Sequence, residues 1–165
     1  MFTAQQEVEF SVLLPAHKKG TADILSQLRD AHIQIRTCTY YQEPTGQMAL
    51  LIADDPAHTL DVLGKSGHQY KSQAVILIEI KPYNPALLIK LHDTLERAGV
   101  SILSSHLCSC DADVLSIAVL TTDNAVAFRA IQQAQHFLEA DQCTSNAVAT
   151  IHVWRPTKTE GEVPT

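Results

Sequence analysis

The sequence predicts an α+β fold built from two βαββαβ units, each an antiparallel sheet with its helices on one face. Three observations support this prediction: one stretch of the chain occurs twice, both copies show the same order of strands and helices, and little linker separates them. The repeat relates residues 8–35 to residues 75–102, and its matched pairs include Val8 with Val75, Pro15 with Pro82, Leu28 with Leu95 and Ala31 with Ala98.

The first unit opens with a strand, because residues 8–14 alternate at the period of a half-buried strand. Residues 1–6 before this strand are expected to be loose. A loop over residues 15–20 then leads into a helix, since Pro15 ends the strand and Gly20 relaxes the backbone. The apolar positions of this helix share one face, and they are Ile24, Leu25, Leu28 and Ala31.

Two more strands and a helix complete the first unit. Residues 33–41 are rich in β-branched and aromatic side chains, which favour a strand, and a turn at residues 43–46 separates them from a strand over residues 47–53. The run Asp54-Asp55-Pro56 predicts a capped helix start, and Gly67 predicts the end of that helix.

The second unit repeats this order. Residues 70–80 must serve both units, closing the first sheet and opening the second. A loop, a helix and two strands follow; Leu88, Leu91, Leu95 and Ala98 form the helix stripe, and the strands cover residues 100–110 and 114–121. Asp123 caps a last helix, and residues 147–154 read as the final strand. We therefore expect a first domain over residues 7–73, a second over residues 74–154, and a disordered tail over residues 155–165.

Composition excludes several classes of function. The chain has 165 residues and a formal net charge of -6, without a basic run, which disfavours a phosphate-binding surface and nucleic-acid partners. Recognition of RNA on such a sheet needs stacking aromatic residues, and the central strands carry just Phe10. No apolar stretch approaches the roughly 20 residues of a membrane helix. Four cysteines without an export signal indicate reduced thiols and a cytoplasmic protein.

Three places in the chain resemble a tandem pair of ACT domains. The strand, Pro-containing loop and helix occur as LLPAHKKGTADILSQL and EIKPYNPALLIKLHDTL, and the helix-to-strand turn occurs as DAHIQI and RAGVSI, where the family shows Ala-Gly-Ile-Asn-Ile. The segment LIADDPAHTLDVLGKSGH is similar to the family's strand, Asp-Asp-Pro and helix. The chain departs from the family at the starts of its first helices: Gly20 is near the expected glycine, and the second unit has Ala86 and Leu87 without one.

The resemblance implies a ferredoxin-like fold and non-enzymatic binding of an amino acid or a similar small carboxylate. The ligand would sit where the first loop and helix start of one unit face the other unit, because a helix N-terminus offers free N–H groups and positive charge to a carboxylate. The residues that match these places are Lys19, Gly20 and Thr21 with Gln34 in the first unit, and Tyr83, Asn84, Ala86 and Leu87 with Ser101 in the second. A purely structural interpretation stays open, in which Gly20 turns the chain, Asn84 caps a helix and Ser101 faces water.

The resemblance also implies a homo-oligomer, most simply a dimer, and requires no cofactor. The alternative function is a protein–protein module that regulates a partner enzyme and holds no ligand. No sequence motif of an enzyme nucleophile is present. His106, Cys108 and Cys110 alternate along a predicted strand and are weak candidates for metal ligands. The stronger expectation for these three is that their face packs on the helices, as Ile102 indicates, because free cysteines are usually buried.

Overall fold

The computed structural model describes residues 2–14, 20–82, 84–111 and 114–140. Six strands and four helices follow one another along this part of the chain. In order they are β1 (Phe2–Leu14), α1 (Gly20–Asp30), β2 (Ile35–Glu43), β3 (Gly46–Ala53), α2 (Pro56–Ser66), β4 (Gln69–Ile80), α3 (Pro85–Arg97), β5 (Ile102–Asp111), β6 (Val114–Thr121) and α4 (Asn124–Ala140). The predicted α+β class and the order of elements are confirmed. The predicted strand over residues 147–154 and the tail after it lie outside the described residues.

One antiparallel sheet contains all six strands, in the order β2-β3-β1-β4-β6-β5. Its centre is the long pair β1 and β4, whose register runs from Phe2 opposite Ile80 to Leu13 opposite Gln69. On its β1 side, strand β3 pairs with the second half of β1 alone, from Glu9 to Leu14. On its β4 side, strand β6 pairs with the end of β4 alone, from Ile76 to Ile80. Both central strands therefore belong to both units, as the sequence predicted for β4.

The helices cover one face of this sheet with two apolar cores. The even-numbered side chains of β1 point to that face, as the two-residue period of a strand requires. Those near its end join the first core with α1 and α2, which contains Phe10, Val12, Leu14, Ile24, Leu28, Leu51 and Leu63. The second core lies under α3 and α4 and contains Ile76, Ile78, Ile80, Leu87, Leu91, Leu95, Ile117 and Ile131.

The start of the chain corrects one expectation. Residues 2–6 are not loose: they form the first half of β1 and pair with the end of β4. Phe2 is completely buried in the second core, and Gln135 of α4 donates a hydrogen bond to its carbonyl oxygen over 3.0 Å. This half of β1 takes the place beside β4 where a free-standing βαββαβ unit would put its own last strand. The prediction failed because residues 3, 5, 6 and 7 are polar, so this half of the strand has Phe2 as its one large apolar residue and shows no clear alternation.

The helix ends follow the predicted signals. Asp55 caps α2 by accepting a hydrogen bond from the backbone N–H of His58 over 2.9 Å, and Pro56 follows it in the first turn. In the same way, the Asp123 carboxylate caps α4 by accepting a hydrogen bond from the N–H of Val126 over 2.9 Å. Gly67 ends α2 with a φ of 74°, a left-handed conformation that glycine adopts at low cost. Among the described residues, no helix is both long and apolar enough to span a membrane.

The sheet curls so that its face without helices turns inward. Strands β2 and β5 stand at opposite edges, about 24 Å apart if the sheet were flat, since adjacent strands lie about 4.8 Å apart. Yet the Thr39 hydroxyl of β2 donates a hydrogen bond to the Leu107 carbonyl of β5 over 3.0 Å. The curl buries a third apolar cluster made only of strand residues, namely Ile52, Val75, Leu77 and Ala118.

Two register shifts in β5 overturn the expectation that His106 and Cys108 pack on the helices. The first shift lies between Ile102 and Ser104, and the second lies between Leu107 and Ser109. Ile102 does face the helices, but after the first shift His106 pairs with Ala118, which belongs to the inward face. Cys108 sits at the second shift and packs on the same inward cluster. An extra residue in a strand reverses its alternation, and the sequence pattern does not reveal this extra residue.

Candidate functional site

The start of α3 is capped by its own chain, because Pro85 has no N–H and the N–H groups of Ala86 and Leu87 are both bonded to Asn84. Asn84 is the cap of this helix, and its side-chain oxygen accepts a hydrogen bond from the N–H of Ala86 over 3.0 Å. Ala86 is exposed, whereas Leu87 is completely buried in the second core. A ligand can therefore approach the first turn of α3 at Ala86, while the Leu87 side chain stays within the protein. Tyr83 lies outside the described residues.

The start of α1 holds the matching residues of the first unit. Gly20 and Thr21 are the first two residues of α1. Lys19 lies outside the described residues. Gln34 is exposed on the segment between α1 and β2. It follows the far end of α1, whose 11 residues separate Gly20 from Asp30 by about 15 Å because an α-helix rises 1.5 Å per residue.

Gln34 and Ser101 occupy equivalent corners of the two units. The N–H of Gln34 donates to the Asp54 carboxylate over 2.9 Å, and the N–H of Asp54 donates to the Gln34 carbonyl over 3.0 Å. In the second unit, the N–H of Ser101 donates to the Thr122 hydroxyl over 3.1 Å, and the N–H of Thr122 returns a bond to Ser101 over 2.9 Å. The repeat thus preserves a local bonding pattern whose residue types have changed, and it leaves both side chains exposed.

A small surface pocket lies beside Ser101. Its volume is about 260 Å³, and it is lined by His92, Leu95, Glu96, Val100, Ser101 and Ile102. His92, Asp93 and Glu96 present nitrogen and oxygen atoms within 4.8 Å of one another on the exposed side of α3. These three are the single group of possible metal ligands that converges within the described part of the chain. His106 contacts both Cys108 and Glu9, but these three do not converge on one point, and the side chain of Cys110 lies outside the described residues.

The two helix starts lie far apart on the sheet. The start of α1 follows the end of β1, and the start of α3 follows the end of β4. Because β1 and β4 are antiparallel over 12 residues of β4, these ends are separated by roughly 40 Å. The two helix starts, with Gly20 and Thr21 in the first unit and Asn84, Ala86 and Leu87 in the second, therefore form separate half-sites at opposite ends of the central strand pair. Gln34 and Ser101 instead follow the far ends of α1 and α3.

A polar cluster on the inward face was missed by the sequence analysis. Glu9 of β1 is 2% exposed, and its Oε1 accepts a hydrogen bond from the Gln73 side chain over 2.9 Å. Its Oε2 lies 2.9 Å from Nε2 of His106, in a charge contact that lacks the alignment of a good hydrogen bond. Nearby on β1, Glu7 pairs with Arg36, which also donates to Gln5 over 2.9 Å.

This cluster changes the chemistry of His106. Hydrogen bonding with the Cys108 side chain, followed by the contact with Glu9, raises the pKa of His106 to about 9 although burial opposes the shift. His106 therefore carries a positive charge at neutral pH, next to a buried carboxylate and a half-buried thiol. The sequence shows Glu9 among the polar residues at odd-numbered positions of β1, which face away from the helices. Only the curl of the sheet shows that this face is buried at Glu9.

Solved structures of known proteins share this fold. Protein BT0572 from Bacteroides thetaiotaomicron superimposes with a TM-score of 0.70 at 15% identity, over 80% of this chain and 90% of that one. The regulatory subunit of aspartate kinase from Thermus thermophilus, in its ligand-free form, superimposes with a TM-score of 0.59 at 14% identity, over 80% and 97%. The chain has an ACT-like fold.

A larger enzyme contains the ACT-like fold as one part. E. coli aspartokinase III, in complex with lysine and aspartate, matches with a TM-score of 0.50 at 11% identity, over 83% of this chain and 32% of that one. No family model and no curated protein matches the sequence. At these identities the similarity shows the ACT-like fold alone.

Proposed function

We propose that this protein is a non-enzymatic regulatory module that binds an amino acid or a similar small carboxylate. The observation that carries the proposal is the tandem ACT-like fold, which it shares with the regulatory subunit of an aspartate kinase. A relative of the same fold was crystallised with lysine and aspartate. A regulatory protein of this kind acts when a ligand binds one conformation or assembly more tightly than another.

The proposed carboxylate contact in the second unit is the first turn of α3. The N–H groups of Ala86 and Leu87 are already bonded to Asn84 and Pro85 has none, so the attraction for an anion comes from the positive end of the helix dipole. Ala86 is exposed there and adds no side chain that would block the approach. Ser101 remains a proposed contact, as do Gly20, Thr21 and Gln34 in the first unit; Lys19, Tyr83, Asn84 and Leu87 complete the predicted set.

We propose that a second copy of the chain supplies the other wall of each site. The two half-sites of one chain lie at opposite ends of the central strands, so they do not close on a shared ligand. Ile89 follows Ala86 by three residues on the same side of α3 and is 66% exposed. An exposed apolar side chain next to a half-site suits a contact between copies. The free thiols of Cys38 and Cys108 are consistent with a cytoplasmic location.

The test is a thermal-shift panel of the twenty amino acids on the full chain. A ligand that binds only the folded protein raises the melting temperature at saturating concentration. The variant Ala86→Asp places a carboxylate at the proposed contact and should abolish the shift for a ligand of the second unit. Its matched control is Ala125→Asp, which makes the same change in the first turn of α4, after the equivalent cap Asp123. Equal shifts in both variants would exclude the start of α3 as the site.

The second candidate is a module that binds a partner enzyme without a ligand. Leu103 and Leu107 of the edge strand β5 are 61% and 50% exposed, and apolar side chains exposed on an edge strand suit a protein contact. A panel without any thermal shift would favour this second function over amino-acid binding.

A further inference from the structure

The buried polar cluster on the inward face carries a desolvation cost that apolar side chains would avoid. Glu9 and His106 stand on strands three places apart in the sheet, which would separate them by about 14 Å if the sheet were flat. The curl brings their charged atoms to 2.9 Å among Ile52, Val75, Leu77 and Ala118. A buried ion pair usually stabilises a fold no better than apolar residues of similar volume. The pair therefore points to a chemical role for the side chain beside it.

That neighbour is Cys108. The register shift between Leu107 and Ser109 places Cys108 outside the regular ladder, on the side of the inward cluster. Its thiol donates a long hydrogen bond to the His106 carbonyl oxygen over 3.9 Å, and hydrogen bonding with this side chain is the largest cause of the raised pKa of the His106 imidazole. The order of groups is thus thiol, imidazole and buried carboxylate. The thiol is half-buried on an edge strand, so small reagents can reach it.

We propose that Cys108 is a reactive thiol that exchanges with small-molecule disulfides, and that His106 and Glu9 are its positioning residues. In this step the thiol proton passes to water and the sulfur attacks one sulfur atom of the disulfide. A new S–S bond forms on Cys108 as the old one breaks, and the second sulfur leaves as a thiolate that takes up a proton. The positive imidazole stabilises the attacking sulfur, and Glu9 keeps the imidazole charged and in place.

Cys38 is the natural control within the same chain. It is also a free, half-buried cysteine, but it stands on β2 and packs against the first core. Burial raises the pKa of the Cys38 thiol, although a hydrogen bond with Tyr40 partly opposes the shift. A thiol whose pKa is raised by burial forms little thiolate and reacts slowly. The two cysteines therefore share their accessibility and differ in the charge beside the sulfur.

The experiment measures the exchange rates of both cysteines in one protein. Cys110 and Cys143 are replaced by serine, and the folded chain is mixed with glutathione disulfide or dithiodipyridine at neutral pH. Peptide mass spectrometry then follows Cys108 and Cys38 separately. We expect Cys108 to react at least about 10-fold faster than Cys38, and we expect His106→Asn and Glu9→Gln each to slow Cys108 by about 10-fold without changing Cys38.

Unfolding of a variant cannot imitate this result. Loss of structure exposes both thiols and raises both rates, whereas the proposal predicts a lower rate at Cys108 alone. The variant His106→Lys, which keeps a positive charge, should retain part of the rate that His106→Asn loses. The proposal would be overturned if Cys108 and Cys38 reacted at equal rates in the protein that keeps His106 and Glu9. It would also be overturned if His106→Asn left the rate at Cys108 unchanged.

Discussion

Glu9 and His106 show how the position of a single residue depends on the whole sheet. In the sequence, Glu9 is one polar residue among several that alternate with apolar ones along β1. In the structure it is almost fully buried and faces a histidine from the far edge strand. The alternation of β1 was predictable, but which polar positions the curl would enclose was not.

The ion pair predicts how stability depends on pH. The pKa of His106 in the folded chain is about 9, above the ordinary value of 6.5, so folding takes up a proton between these values. The contribution of His106 to stability is therefore complete below about pH 6.5 and is lost as the pH rises through about 9. Urea unfolding of wild type and His106→Asn should show a stability difference that shrinks over this window. A difference that grows toward high pH would contradict the assigned charge.

Leu87 and Ile89 predict opposite responses on one helix. Leu87 is 0% exposed and Ile89 is 66% exposed, two residues apart on α3. Leu87→Ala should lower the free energy of unfolding by about 2–5 kcal/mol, because it leaves a cavity in the second core. Ile89→Ala should change it by about 0.5 kcal/mol or less in a monomer. Chemical denaturation of both variants checks this pair, and similar losses would mean that α3 packs through another face.

The site residues divide into those the sequence could place and those it could not. The capping role of Asn84 was one of the two interpretations open from the sequence, and it follows from local chemistry at a helix start. Leu87 packs with Leu91 and Leu95 in the second core, whereas the predicted stripe had Leu88 there, because both spacings fit a helical face. The partner of each half-site depends on contacts between distant segments, and no local pattern encodes them.

At the scale of elements, local signals placed most strands and helices within two or three residues. Turn residues, caps and apolar spacing act over a few residues, so they can be read directly from a sequence. The start of β1 is the exception in position. Strand β5 is the exception in the direction of its side chains, because its two register shifts depend on the fit against β6 rather than on its own residues. This is why the faces of His106 and Cys108 were assigned wrongly while the strand itself was found.

Two glycines give a test of these elements. A Cβ atom on Gly46, at the start of β3, would lie 2.5 Å from the carbonyl oxygen of Leu14. Gly46→Ala should therefore destabilise the fold by roughly 2 kcal/mol or more, since the β1–β3 contact must shift. Gly64 lies within α2, where a Cβ atom meets only the Tyr70 hydroxyl at 3.6 Å. Gly64→Ala should stabilise the fold by about 0.5–1 kcal/mol, because alanine favours a helix. Thermal melts of both variants should move in opposite directions.

At the scale of the whole molecule, the first residues of the chain complete the second unit. Phe2 stands at one end of β1 and packs in the core beneath α3 and α4. Its partner in the sheet is Ile80 of β4, more than 70 residues away along the chain. Long-range pairing of this kind leaves no periodic signal near the N-terminus. The number of units and their order were therefore predictable from the repeat, whereas the sharing of β1 was not.

Phe2→Ala should destabilise the second unit, because Phe2 packs in the core of that unit. Phe2 is 0% exposed, so its truncation should lower the free energy of unfolding by about 3–5 kcal/mol. Gln6→Ala, at an exposed position of the same strand, is the control and should have little effect. Hydrogen exchange should show the loss of protection in α3 and α4 as well as in β1. An effect confined to the first few residues would show that this end of β1 is dispensable.

The paired central strands have a practical consequence for anyone who wishes to divide this protein. Dividing the chain within β4 removes part of the sheet from both halves, because one end of this strand packs with α1 and α2 and the other end packs with α3 and α4. Separate expression of the halves should yield fragments that need each other to fold, and a bulky N-terminal fusion joined directly to Phe2 should disturb the half that lies last in the gene.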